Sequence, residues 1–374
     1  MIGSVLGREW RRFLDTPRLW LLVVLVPVLL PAVLVTVFLE RTPSDLPVAV
    51  LDYDQSHLSR QISRTLDATP GIRVVRFPAD LKAAGAAVRR GDVFAVVALP
   101  AELHRDVLRG EAPRIQLFYN RQMLTAGNVV MREVRTAIAT VGAGIGIGQG
   151  VFPPVRTENH PLFNPGLDFA RFLALPLIAT LLHILIVVVT IDVTGRELRE
   201  GTAAHWLGAA DRRLGPALLG KLLPYFAWFS LAGVGVLTLS VHLLGLEVRG
   251  NLLAWLGGWV VFTAACMGLG LFLTGLFGNL RMATSVASVV ISPAFAYSGM
   301  TFPTTAMEGF ARFWSTVLPL GHYLNLQTAQ LAMGSAVASS LPHLFWLLPF
   351  VGLPVLVVRR WRHLLADPAH WGGR

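Results

Sequence analysis

Charge is what this sequence lacks most. Only 14% of its 374 residues are Asp, Glu, Lys or Arg, where a soluble domain normally carries about a quarter. A wholly soluble chain is therefore excluded. Cysteine is almost missing too. The single Cys266 lies inside an apolar run, so it can form no intrachain disulfide, and no Cys/His spacing suits a metal. It reads as a small buried apolar residue. No low-complexity tract and no repeat of 20–50 residues is visible.

What remains is apolar sequence, 54% by composition. It is gathered in runs long enough for the roughly 20 helical residues a bilayer needs. The spans are expected near 19–39, 169–191, 222–244, 252–277, 283–300 and 336–358. The fold class that follows is a polytopic α-helical membrane protein of about six transmembrane helices, with an α/β domain inserted between the first two. The first run is too long for a signal peptide and lacks a small-x-small cleavage site, so it reads as a signal anchor. Ahead of it, residues 1–18 suit an interfacial helix, with Ile2, Val5, Leu6, Trp10 and Phe13 on one side.

The net charge of +10 does not point to nucleic acid, because much of the excess flanks apolar runs. Lys and Arg in short loops mark the cytoplasmic side. With the N-terminus inside, that side receives Arg8, Arg11, Arg12 and Arg18, then Arg196, Arg199, Arg212, Arg213 and Lys221, then Arg281, and finally Arg359, Arg360, Arg362 and Arg374 of a tail over 359–374. The opposite short loops hold Arg249 and Arg312, with Arg171 at a span edge. Both termini are then cytoplasmic and 40–168 is extracytoplasmic.

Within 40–168, strand patterns near 46–51, 72–77, 93–99 and 114–119 alternate with helical patterns near 58–66, 81–88, 102–108 and 123–141. That order implies an α/β layer with parallel pairs. The all-apolar run at 93–99 is expected to be buried on both faces. Asp52 and Asp54 stand two apart at a strand end and could share a side, but a turn rich in Asp is the plainer reading. Gly142, Gly144, Gly146, Gly148 and Gly150 follow a helix and complete no dinucleotide fingerprint, so they read as a flexible exit or a close backbone contact. Pro153, Pro154, Pro161 and Pro165 return the chain to the membrane.

Ionisable groups inside the expected spans are few. His183 sits mid-span and reads as a neutral polar contact; Asp192 sits at the cytoplasmic end of the same helix, within reach of interfacial water. The loop 192–221 is too charged for lipid and short enough to be held against the membrane. A short helix there, starting after Gly201-Thr202, could pass motion from a cytoplasmic partner to two spans. Gly215 through Lys221 imitates the start of a phosphate-binding loop. Leu222 stands where Ser or Thr is required, and no strand precedes it.

These segments together resemble the permease subunit of type 2 ATP-binding-cassette exporters. The residues that carry the resemblance are Arg8-Glu9-Trp10-Arg11-Arg12; Arg196-Glu197-Leu198-Arg199-Glu200-Gly201-Thr202; Gly220-Lys221-Leu222-Leu223-Pro224-Tyr225; Tyr297 through Pro303; and Leu318-Pro319-Leu320-Gly321-His322-Tyr323. Val50 through Asp54 and Ser59-Arg60-Gln61 resemble the branch with an extracytoplasmic domain. Ala203, Ala204 and His205 depart from the Leu and acidic residue that often follow Gly-Thr in that family.

The resemblance implies a permease in a bacterial cytoplasmic membrane, paired with a second permease. It implies no cofactor or metal on this chain, and ATP and Mg used by a separate ATPase subunit. It places the ATPase-coupling residues at Glu197, Arg199, Glu200, Gly201, Thr202, Trp206 and Leu207. Glu197 and Glu200 are expected to pair with basic groups of the partner, and Trp206 and Leu207 to fill its apolar cleft. It makes 301–333 an outer re-entrant segment following the spans of 169–358, with an outer gate at Ser298, Gly299, Met300, Phe302 and Pro303. The cargo is expected to be a hydrophobic or amphipathic compound, such as a drug or lipid. The alternative is a membrane-anchored sensor or assembly factor whose 40–168 domain binds a ligand. An ion-coupled carrier would need inverted repeats and midplane charges, which the sequence does not display.

The arginine distribution makes a direct forecast. A reporter fused after Ala68 should be extracytoplasmic and one after Arg362 cytoplasmic; protease or alkylation accessibility placing both on one side would sink that topology.

Overall fold

The computed structural model describes residues 2–39, 44–111, 113–119, 124–149 and 168–367. The chain divides into two compact units, Met1–Leu39 with Phe169–Arg374 and Glu40–Asp168. Helix α1 (Ile2–Asp15) is followed after Thr16 by α2 (Pro17–Val37), the first helix long and apolar enough to span a bilayer. Pro17 opens α2 where its missing N–H costs nothing. Val5 is the one fully buried member of the apolar stripe expected on α1, while Leu6, Trp10 and Leu14 are exposed.

The second unit is a four-stranded sheet with its helices. In chain order its elements are β1 (Leu46–Asp52), α3 (His57–Asp67), β2 (Ile72–Arg76), α4 (Leu81–Arg90), β3 (Ala95–Leu99), α5 (Leu103–Leu108), β4 (Gln116–Tyr119) and α6 (Leu124–Gln149). The strand order is β2-β1-β3-β4. β1 pairs in parallel with β2 and β3, and β4 runs antiparallel to β3. All five residues of β3 are buried, as a central parallel strand requires. Ser56 caps α3, its hydroxyl accepting from the Ser59 N–H at 3.1 Å.

The two aspartates are turn builders. Asp52 Oδ1 accepts from the backbones of Asp54 (3.0 Å) and Gln55 (2.9 Å), and Asp54 Oδ2 accepts from the His104 backbone at 3.2 Å. The expected flexible glycine exit is a correction: α6 stays helical through Gly142, Gly144, Gly146 and Gly148. Each helical glycine costs about 1 kcal/mol relative to Ala, and no proline interrupts the run before Pro153. Gly150 and the prolines at 153, 154, 161 and 165 lie outside the described residues.

The first unit continues with α7 (Ala170–Arg199), the short α8 (Ala203–Gly208), α9 (Leu214–Leu243), α10 (Leu252–Phe277), α11 (Leu280–Phe295), α12 (Gly309–Val317), α13 (Pro319–Thr328) and α14 (Val337–Ala366). α10 is the axle, packed on α7, α9, α11, α13 and α14. Asn251 caps its start by accepting from the Ala254 N–H at 2.9 Å, and Gly278 ends it with a φ of +65°. Two glycines let backbones meet. A Cβ at Gly268 would lie 2.1 Å from the Phe350 carbonyl oxygen on α14, and one at Gly270 would lie 2.9 Å from the Val187 carbonyl oxygen on α7. By contrast α2, α9 and α14 turn Leu25, Val28, Leu231, Leu239, Phe345 and Leu356 outward, an apolar surface that suits lipid. The architecture is that of a mostly helical, polytopic membrane protein.

Several expectations need correction. Five of the described helices are long and apolar enough to cross a bilayer, not six. The stretch expected as a span at 283–300 is helical only over Leu280–Phe295. At 1.5 Å per residue that is about 24 Å, short of a ~30 Å hydrocarbon core. Pro293 tightens its end into a 3-10 turn. The last span, expected over 336–358, runs to Ala366, tightening at Leu353–Val357 beside Pro354. The segment 301–333, expected to be re-entrant, holds two helices of different burial. α12 buries nothing, whereas α13 buries Leu320, Tyr323, Leu324 and Leu326. The Tyr323 ring stacks on Phe262 of α10 at 4.6 Å. His183 makes an aromatic rather than a polar contact, 5.7 Å from the Phe262 ring, and neither ring nitrogen meets a partner among the described residues.

The contact at Gly268 carries a prediction. Gly268→Ala should destabilise the permease by about 1–3 kcal/mol through overpacking against the Phe350 carbonyl. Thermal unfolding in detergent checks this; an unchanged midpoint would mean that α10 and α14 do not meet there.

Candidate functional site

α1 reaches the rest of the bundle through a glycine. Gly220 stands in the second turn of α9, and a Cβ there would fall 2.8 Å from Val5 Cβ and 2.9 Å from the Ile2 carbonyl oxygen. Glycine therefore seats α1 directly on α9. One turn beyond Val5, Glu9 then points inward.

At this seat Lys221 Nζ lies 2.7 Å from Glu9 Oε1 and 2.7 Å from Glu197 Oε1. All three side chains are at most 2% exposed. Glu197, near the end of α7, is bound further by Arg8 on both oxygens, Nη1 to Oε1 at 3.0 Å and Nη2 to Oε2 at 2.9 Å. Arg12 Nη1 adds a bond to Oε1 at 2.7 Å, while its Nη2 donates to Glu200. The Thr202 hydroxyl donates to Glu197 Oε2 at 2.5 Å. Burial alone pushes the Arg8 guanidinium down; its bonds and proximity to Glu197 more than offset this, so its pKa is raised.

Trp206 of α8 completes the assembly. Its ring centroid lies 5.3 Å from Lys221 Nζ and its indole N–H donates to the Ala217 carbonyl at 3.2 Å. It packs in a cluster with Val5, Leu198, Ala203, Trp361 and Leu364. Five segments of chain thus meet on a handful of charges: α1, the end of α7, the Thr202 turn, α8 and the start of α9.

The family profile described as ABC-2 family transporter protein matches residues 17–358. The chain belongs to the ABC-2 family of transporter proteins. It is the permease subunit of an ABC exporter. Its relatives include the probable multidrug ABC transporter permease YbhS of Escherichia coli (strain K12), 24% identical over 96% of this chain and 97% of that one. The inner membrane transport permease YhhJ of the same strain is 23% identical over 83% of this chain and 84% of its own. The probable multidrug ABC transporter permease YbhR is 22% identical over 80% and 73%.

In this ABC-2 permease several coupling residues do not stand as expected. Glu197 is fully buried and held within its own chain, so it offers nothing to a partner's basic groups. Trp206 is fully buried as well and fills a cleft of its own permease. Thr202 occupies the N-cap position of α8, but its hydroxyl makes no cap bond; it serves Glu197 instead. Asp192 pairs with Arg196 one turn on. Sequence reasoning counted Arg8, Arg12 and Lys221 as topology charges and gave Glu9 no role. The signal was available in the four-residue step from Val5 to Glu9, which sets an acid on the buried face.

Arg199, Glu200 and Gly201 are exposed, with Arg199 3.5 Å from Glu200 and Gly201 at a φ of +67°. Leu207 is half-buried at a cleft of about 640 Å³, shared with Arg212, Arg213, Leu218, Arg362 and Leu365. The Arg212 N–H donates to the Leu207 carbonyl at 2.8 Å, closing a turn in which Asp211 and Arg212 both have positive φ.

The five residues expected at the outer gate form one tight turn after α11. The Ser298 hydroxyl donates to the Phe295 carbonyl at 2.7 Å and accepts from the Met300 N–H at 3.3 Å; Gly299 has a φ of +90°. Phe302 and Pro303 are exposed. This turn follows the C-terminus of α11, whose first residue, Leu280, packs on Gly195 near the ion network. This turn and the network therefore sit at opposite ends of that helix.

Removing one partner of a buried ion pair costs about 3–5 kcal/mol, because a charge is left uncompensated. Lys221→Ala should therefore lower the unfolding midpoint sharply, and Lys221→Met combined with Glu9→Gln should recover part of the loss. Thermal unfolding of the two variants beside wild type decides it; a wild-type midpoint for Lys221→Ala would remove the network as a structural element.

Proposed function

We propose that two copies of this permease, or this permease and a related one, line an export path for hydrophobic or amphipathic compounds in a bacterial inner membrane. A separate ABC ATPase, using ATP and Mg, drives it from the cytoplasmic side. The residue range 40–168 lies outside, and the turn 298–303 with α12 and α13 closes the outer mouth. The family match, which extends across the spans rather than over 40–168 alone, favours transport over the sensor reading. The names of the relatives, two of them probable multidrug permeases and one an inner membrane permease, support the cargo class and the membrane.

The observation that carries the reading is the buried network around Glu197. It ties α8 rigidly to α1, α7 and α9, so a push on α8 reaches two spans at once. Its charges pair with one another inside the chain, which leaves the neighbouring cleft at Leu207, Arg212 and Arg213 as the surface for the ATPase. Gly215 through Lys221 lie inside helix α9, and Lys221 Nζ is engaged by Glu9 and Glu197. That arrangement supports an ATP site elsewhere, on the partner.

Apolar anchors at the centre of an interface cost on the order of 2 kcal/mol or more when removed, and rim charges about 0–1 kcal/mol. Leu207→Asp should therefore strip the ATPase from the permease during co-purification in detergent, while Arg213→Ala should leave most of it bound. Trp206→Ala should instead lower the yield of folded permease. Equal recovery of ATPase with Leu207→Asp and wild type would end this docking site.

A further inference from the structure

The cleft beside Leu207 has a second wall that the ion network does not touch. Trp361 pins the end of α14 to α10: its indole N–H donates to the Leu271 carbonyl at 3.2 Å, and a Cβ at Gly275 would fall 2.2 Å from that nitrogen. With this end fixed, Val358, Arg362, Leu365 and Ala366 recur at helical spacing and line the cleft together. The facing wall is the start of α9, at Leu214, Gly215 and Leu218, where a Cβ on Gly215 would meet nothing within 4 Å. The turn before α9 closes the third side. Asp211 and Arg212 both hold positive φ there, an uncommon state for residues with a side chain, and Arg212 and Arg213 join the lining.

The charge of this cleft is unbalanced. Arg212, Arg213 and Arg362 are exposed, none of them has a side-chain partner among the described residues, and no acidic side chain lines the cleft. Arg359 and Arg360, in the same turn of α14 as Arg362, add to the field. Depth is the second feature. The apolar run of α9 begins after Lys221, and that of α14 ends before Arg359. Leu218 and Arg362 stand one turn past those limits, about 6 Å along the helix axis. A headgroup layer is roughly 5–8 Å deep on each side of a bilayer. The arginines are therefore at the level of lipid phosphates, with Leu214, Leu218, Val358 and Leu365 beside them.

We propose that this cleft binds an anionic phospholipid, its phosphate held by Arg212, Arg213 and Arg362 and an acyl chain laid along Leu214, Leu218 and Val358. Guanidinium groups grip phosphate through paired N–H donors and are weakly hydrated, so they surrender water readily. Basic pockets between membrane helices take lipid headgroups for this reason. A free phosphate would use the arginines and leave the apolar walls bare. A zwitterionic lipid would bring its own cation among three others. An acidic protein surface can meet the rim at Leu207, whereas Leu218 and Val358 lie at headgroup depth, which favours lipid. Because Leu207 belongs to the same cleft, a seated ATPase and this lipid compete for it; that consequence alone rests on the exporter reading.

The test uses the full-length permease without ATPase, delipidated in detergent, with lipid binding measured by native mass spectrometry. Three probes are titrated: phosphatidylglycerol, phosphatidylcholine with the same acyl chains, and glycerol 3-phosphate. At the tightest site phosphatidylglycerol should bind about tenfold or more tighter than phosphatidylcholine, and glycerol 3-phosphate should not bind measurably. Arg213→Gln combined with Arg362→Gln should weaken phosphatidylglycerol by roughly tenfold and leave phosphatidylcholine unchanged. Both side chains are exposed and unpaired among the described residues, so this variant keeps the fold. Arg281→Gln, at the start of α11 and outside the cleft lining, should change neither lipid. Equal affinity for the two lipids would overturn the proposal by leaving an apolar groove without charge recognition. Phosphatidylglycerol binding unchanged in the double variant would overturn it and leave the arginines to an acidic protein surface. An equal loss in Arg281→Gln would reduce it to general surface charge, and glycerol 3-phosphate binding as tightly as the lipid would make this a soluble-anion site. Neither transport nor ATPase docking enters these readouts, so a failure here leaves the exporter reading standing.

Discussion

The Lys221 ammonium, held 2.7 Å from each of two buried carboxylates, is the interaction on which this end of the helix bundle depends. Taking three charges out of water costs several kcal/mol per ion, and attraction compensates only if the remaining lone pairs are also satisfied. Here Arg8, Arg12 and Thr202 do this for Glu197. The bonds join α1 to neighbouring segments some 190 residues later in the chain, so none of them can shift alone without leaving a buried charge bare. An assembly of that kind moves as one body or not at all, which is the property a transmission element needs. It also explains why Gly220 stands beside Lys221: without close approach of α1, Glu9 could not reach the ammonium.

The spans divide by the same logic of what must be close. α10 touches five neighbours, and glycines on its surface let the backbones of α7 and α14 approach. Helix association in a bilayer lacks the hydrophobic driving force of water, so packing and close approach take its place. The helices of the rim show the converse, with large apolar side chains turned outward. α13 enters the core because Tyr323 and its leucine neighbours recur at helical spacing and find Phe262 and Trp259 opposite. The segment 301–333 therefore has one exposed helix and one buried helix, with the tight turn at Ser298–Gly299 joining it to α11.

One seat of one short helix produces two different surfaces. On the α8 side, charges are matched and the apolar cleft at Leu207 is left open. On the α2 side, the rings of Trp10, Phe13, Trp20 and Trp228 line a hollow. The contrast is physical: paired polar groups hold structure on one side, and aromatic rings wall the other.

The sequence by itself determined the class of molecule, because long apolar runs and basic flanks admit few alternatives. It also determined the strand and helix alternation of the 46–119 region, where each element carries its own periodicity and turn residues. The segment 192–221 was legible as a charged stretch held between two spans, through its charges and Gly201-Thr202. Tertiary structure alone decided what each residue there does. Glu197 and Trp206 look like surface groups in a charged loop, and become interior groups only when α1, some 190 residues earlier in the chain, folds onto α9. Periodicity reports which face of one helix is apolar; it carries no information on which distant charge will neutralise a buried acid. The short α11 and the buried α13 escaped for a related reason. Hydropathy sees composition, whereas Pro293, Gly299 and the Tyr323–Phe262 stack act through local geometry and contact between helices.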